Sequence, residues 1–214
     1  KQAVGALKTE LQASVASGDK FSDVTTVSSQ VLDAFGMRAK STGKMLSNTR
    51  KVVNELAYSA DATSTGFGDL GTAMSYVGTA AKANNISLAE TASALGVLSN
   101  NGLESDKAGT ALRATINGLT NQINKIGKKN SIFDKLGIKK SEMLDAHGNL
   151  KSLSTDMGVL YKHIEEHSKG KKKKNGFFKS IFGTSGMNGA MILAKSSKEV
   201  EGLTKKKEKD VFYI

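Results

Sequence analysis

At 214 residues with 38% hydrophobic side chains, the chain carries apolar material for one domain, or for a compact domain with an appendage. Proline and cysteine are absent, which excludes disulfides and thiolate metal sites and removes the strongest helix breaker. The net charge of +11 falls unevenly, with 11 basic and 10 acidic residues up to position 120 and 20 and 10 after it, a balance suited to a polyanionic partner or to solvated loops.

The apolar spacing predicts an all-α bundle of short amphipathic helices, punctuated by the 22 glycines. Val4, Leu7, Leu11 and Val15 give an opening helix closed at Gly18. Val24, Val27, Val31 and Phe35 give a second, stopped at Gly36. Leu46, Thr49, Val53, Leu56 and Ala60 make a third, with Ser41 or Thr42 as its cap. Three further stripes are the clearest in the chain: Phe67, Leu70, Met74, Val77 and Ala81; Leu88, Ala92, Leu95 and Leu98; Ala108, Leu112, Ile116, Leu119 and Ile123. Ser87 and Glu90 fit a capping box, and Asn101-Gly102 supplies the exit. Ala108, Gly109 and Ala111 are small enough to let a neighbouring helix approach closely.

Beyond Gly127 the pattern loosens into an apolar patch at Ile132, Phe133, Leu136 and Ile138. An irregular turn or small hairpin follows near 138–150, centred on Asp145 and Gly148. Leu153, Met157, Leu160 and Ile164 resume helical spacing. Residues 169–174 read as a charged linker, followed by Phe177, Phe178, Ile181 and Phe182, and a last helix from about Met187 toward Leu203. The organisation expected is a helical core module over 1–127, a looser extension over 128–168, a basic linker over 169–176 and a C-terminal helical segment over 177–214. Lys1 in place of Met, and the ending Val211, Phe212, Tyr213, Ile214, read as interior sequence, so a fragment of a much longer chain is expected. No apolar run approaches the ~20 residues of a membrane span.

Three motifs invite chemistry. Gly66, Gly68 and Gly71 match the dinucleotide fingerprint in letters, but that fingerprint needs a buried strand before it, and residues 52–62 read as helix. The run from Lys40 to Lys44 lacks the first glycine and the hydroxyl of a phosphate loop. His163, Glu166 and His167 spell the inverted zinc-peptidase signature, which places two imidazoles on one helix face beside a carboxylate. A catalytic zinc also wants a third protein ligand and a sheltered cleft, and this motif sits on a polar face beside the lysine run. The expectation is therefore no catalytic, cofactor or metal residue. Zinc peptidase through His163, Glu166 and His167 is kept as a remote alternative, and a basic helical nucleic-acid-binding domain as a nearer one.

The blocks from Phe67 to Val77, Ala80 to Glu90, Ala94 to Gly102 and Ala108 to Arg113 closely resemble the core region of bacteriophage tail tape measure proteins. Leu136-Gly137-Ile138, Asp145 with Gly148 and Asn149, and Ile181-Phe182-Gly183 continue the pattern, so the resemblance runs from about Val24 to Leu203. It implies a non-enzymatic virion component: a helical chain inside the tail tube whose length sets tail length and which leaves the tail as DNA is delivered. Implied partners are the tail tube protein, tail assembly chaperones and tail tip or baseplate proteins, with self-association and DNA contact as further expectations. Implied placement is the tube lumen, after assembly in the bacterial cytoplasm. The glycine-divided segment offers no long uninterrupted helix, so a folded module is expected here and the ruler proper elsewhere.

Overall fold

The computed structural model describes residues 2–209; Lys1 and positions 210–214, including the Val211 to Ile214 ending, lie outside the described residues. The described residues form eleven helices: α1 Gln2–Ser17, α2 Phe21–Ala34, α3 Thr42–Ala62, α4 Phe67–Ala83, α5 Leu88–Asn100, α6 Ser105–Ile123, α7 Ile132–Lys135, α8 Lys140–Met143, α9 Leu153–His167, α10 Lys171–Lys195 and α11 Ser197–Lys209. Among the described residues the only β pairing is an isolated antiparallel bridge between Leu144 and Leu150, closing the expected turn around Asp145 and Gly148. The Asp145 carboxylate accepts there from the backbone N–H groups of His147 (2.8 Å) and Asn149 (2.9 Å).

Missing side chains set how the helices stack. A Cβ at position 71 of α4 would collide with the Val27 side chain on α2, and one at 78 would lie 2.8 Å from Ala34. A Cβ at position 109 of α6 would lie 2.9 Å from the Cα of Ala73 on α4 and closer still to its carbonyl oxygen. The registers 71 to 27, 78 to 34 and 109 to 73 make α2, α4 and α6 a parallel row. Their C-terminal ends are tied laterally: Lys82 donates to the Phe35 carbonyl, and the Thr120 hydroxyl donates to Asn84 Oδ1 at 2.6 Å. Helix α10 joins the row antiparallel, with position 118 against Phe182 (2.5 Å), 186 against Ala114 (2.8 Å) and 189 against Ala111 (2.7 Å). A second row packs α1 on α3, α3 on α5 and α5 on α11. Helices α1/α2, α3/α4, α5/α6 and α10/α11 thus form stacked hairpins, and α9 lies over α10 and α11.

The stripes of α2 to α6 and α9 face this interior as their spacing predicts. Three elements differ. Every residue from Leu88 to Ser99 is buried, so α5 is the central rod of the bundle and not an amphipathic surface helix. On α1 the inward face is Thr9, Glu10 and Ala13, and the apolar stripe points to solvent, with Leu11 53% and Val15 79% exposed. The lysine run read as a linker is helical from Lys171, because Phe178, Ile181 and Phe182 dock on the core and carry the preceding turns with them. Gly183 (φ 70°, ψ −178°) kinks α10 after that docking point, and the last predicted helix breaks at Ser196 into the end of α10 and α11.

Helix α9 is fastened by charge. The Ser87 hydroxyl caps α5 by accepting from the Glu90 N–H at 3.1 Å, but the Glu90 carboxylate does not return to Ser87. It accepts instead from the N–H (3.0 Å) and hydroxyl (3.1 Å) of Ser154, in the first turn of α9. Two positions on, Asp156 is wholly buried with neither carboxylate oxygen hydrogen-bonded. Burial first, then the Glu90 charge, pushes its pKa to about 8, with Lys151 pulling weakly the other way. The folded state therefore holds a proton that the unfolded chain releases near pH 4, so this group costs stability progressively from about pH 4 to pH 8. Asp156→Asn is expected to raise unfolding free energy at pH 8 by about 2 kcal/mol or more and to change little near pH 4. Urea melts at the two pH values check this, and equal effects at both would contradict it.

Candidate functional site

The inverted zinc-peptidase letters fall together in space: ligand atoms of His163, Glu166 and His167 all lie within 4.8 Å of one another on the last turns of α9. The imidazoles are already engaged, however. His163 Nδ1 is 2.8 Å from the Leu136 carbonyl and its Nε2 3.0 Å from Glu142 Oε1. Both ring nitrogens of His163 thus face acceptors of the chain itself. His167 Nδ1 sits 2.9 Å from the His163 carbonyl, and Glu166 lies 4.0 Å from Lys162. His163 thus acts as a clasp between α9 and the α7–α8 segment. Glu142 is held below the usual carboxylate range, first by the Lys139 N–H at 2.8 Å and then by His163. That share of stability is present above the ordinary glutamate range and is lost as pH falls through the lowered value.

The other two motifs resolve into helix starts. Gly66 precedes α4 with no strand before it, and Gly71 serves the contact with Val27. Gly43 lies in the first turn of α3, where the Ser41 hydroxyl accepts from the Lys44 N–H at 3.3 Å. A shallow, open hollow between α6 and α10 is lined by Leu103, Asp106, Lys107, Thr110, Ser185 and Asn188. No helix among the described residues is long and apolar enough to cross a membrane.

Lys125, Lys128 and Lys129 follow the end of α6 at Ile123, and Lys171, Lys172 and Lys173 open α10. All six are exposed, and none forms an ion pair among the described residues. Glu165 pairs with Lys174 and Asp33 with Arg38 at 2.6 Å, while the Asp134 carboxylate accepts from the Gly127 N–H at 2.9 Å, in the turn that carries Lys125 and Lys128.

The profile of the phage-related minor tail protein family matches residues 1–183. The tape measure protein of Pneumococcus phage Dp-1 is 25% identical over 187 residues, covering 87% of this chain and 15% of the relative. The probable tape measure protein of Escherichia phage P2 is 27% identical over 151 residues, 70% of this chain and 18% of the relative. The chain therefore spans less than a fifth of the length of these curated relatives. No solved structure matches it.

Replacing His163 by Ala strands the Leu136 carbonyl and the Glu142 carboxylate, and is expected to cost about 1–3 kcal/mol in denaturant unfolding at pH 7. Equimolar zinc is expected to leave the melting temperature of the unmodified chain unchanged. A zinc-dependent rise that His163→Ala abolishes would assign a metal site instead.

Proposed function

The chain belongs to the phage-related minor tail protein family, and on that premise we propose that it is a folded helical module of a tape measure protein. The module takes part in building the tail within the host cytoplasm and lies in the tube lumen of the finished virion. The parent chain sets tail length, contacts the tube protein, assembly chaperones and tip proteins, and leaves during DNA ejection. The observation that carries this reading is the family match over most of the chain together with two tape measure relatives several times longer. An all-helical bundle over the described residues suits a structural part.

The architecture limits how such a module measures. As one extended helix, 214 residues would span about 320 Å at 1.5 Å per residue. The longest unkinked helix, α3, has 21 residues and spans about 30 Å. Folded, the module occupies roughly a tenth of its extended length, so length is measured by other parts of the parent chain.

In-frame removal of residues 1–214 from the parent chain, followed by electron microscopy of the tails that form, tests this. A folded module predicts shortening by about 30–40 Å or less. Shortening near 320 Å would show that the segment itself is ruler. Absence of its peptides from purified tails would end the tail-component reading.

A further inference from the structure

We propose that the outward stripe of α1, Leu7, Leu11 and Val15, is the docking surface for a further amphipathic helix of the parent polypeptide, stacked as the next member of the row α1, α3, α5 and α11. This rests on reading the chain as a module of a longer tape measure protein, since it spans less than a fifth of its curated relatives. Three of the four large hydrophobic side chains exposed among the described residues belong to this one helix: Leu7 at 49%, Leu11 at 53% and Val15 at 79%. At about 100° per residue they lie roughly 150° round the helix from Thr9, Glu10 and Ala13, its buried side. The stripe therefore faces nearly opposite to α2 and α3, on which α1 packs. This orientation has a cost: burial pushes the inward Glu10 carboxyl above its usual range, with the Thr25 side chain pulling the other way. The module on its own buries a carboxyl group and leaves leucines in water.

Stacked helical hairpins are closed at their ends by polar outer faces. The far end of this row has that closure: α11 turns Lys198, Glu199, Glu201 and Lys205 to solvent and buries Val200. Beside α1, the exposed side chains of α2 include Ser22, Thr26 and Gln30. At α1 the row ends instead in Leu and Val, so the stack is open there and continues the established contacts of α1 on α3 and α3 on α5. Area chooses the occupant. Three side chains along about 12 Å of helix fall far below the roughly 800 Å² per partner that a stable association of separate molecules buries. The same contact suffices within one polypeptide, where a linker keeps the effective concentration at about millimolar. A tethered helix with apolar residues at three- and four-residue steps therefore fits this stripe, and a second copy of the chain does not.

The chain has no cysteine, so Leu11→Cys and Lys198→Cys each place a single thiol within residues 1–214. Maleimide labelling, read by peptide mass, is compared between the 214-residue chain and the purified parent chain. Both exposed positions are expected to label at similar rates in the 214-residue chain. In the parent chain Leu11→Cys is expected to label about 10-fold more slowly or less, and Lys198→Cys as before. Equal rates at Leu11→Cys in the two chains would overturn the proposal, and so would an equal slowing at both positions. Protection of Leu11→Cys already in the 214-residue chain would also overturn it. A dimer in sedimentation would then assign the stripe to a second copy, and a monomer would show that α1 has rolled it inward. The variant Leu7→Gln/Leu11→Gln/Val15→Gln is expected to lower the melting temperature of this module in the parent chain and to leave that of the 214-residue chain unchanged. Equal changes in the two chains would contradict the docked helix. Both readouts are taken on the parent chain in solution, so they stand or fall separately from its presence in tails.

Discussion

Helix-to-helix contact without intervening side chains is the constraint on which the structure depends. The chain has few aromatic residues to fill wide gaps, 6% of its length, and its core is largely Val, Leu, Ile and Ala. Glycines at 71, 78, 109, 118, 186 and 189 let α2, α4, α6 and α10 approach until backbone touches side chain or backbone. Gly109 is the tightest of these in kind, because what it meets is the main chain of Ala73, which no rotamer change can move. The stacking then encloses α5 on every side and sets α6 and α10 antiparallel.

The outer layer is held differently. Helix α9 contributes Leu153, Met157, Leu160 and Ile164 to the core, but its orientation is also set by polar ties. Glu90 grips Ser154 at one end, and His163 bridges Leu136 and Glu142 at the other. Between them sits Asp156, buried and kept protonated by its surroundings. The two carboxyl groups respond to pH in opposite senses: the Glu142 tie weakens in acid, whereas Asp156 becomes a growing cost from about pH 4 toward pH 8. Docking of α9 is thus tuned by protonation in a way the aliphatic rows are not.

Much of this was legible from residue spacing, and the exceptions have physical causes. The stripes from Val24 to Ile123 became the core because period 3.6 marks an apolar face, and the small residues around Gly109 did mark a close approach. Periodicity does not say which face finds a partner, so Leu7, Leu11 and Val15 formed a helix whose stripe points outward. The capping box at Ser87 was half right, since a carboxylate chooses between its own helix and a remote donor, and Ser154 lies 64 residues away. The lysine run reads as linker by charge, yet lysine is a good helix former, and docked phenylalanines downstream extend the helix through it. At His163 the letters of a metal motif were present, but ring nitrogens are free or spent only in three dimensions.

Dependence on backbone contact is measured most directly by comparing two glycine-to-alanine changes, one at a contact between helices and one at an open helical position. Gly109→Ala puts a methyl group against the Ala73 backbone, while Gly176→Ala adds one in open space within α10, where alanine favours the helix by up to about 1 kcal/mol. The account predicts that Gly109→Ala loses about 2 kcal/mol or more in urea unfolding and that Gly176→Ala is neutral or stabilising. Equal, small effects at the two sites would contradict it, since the rows would then not depend on backbone contact.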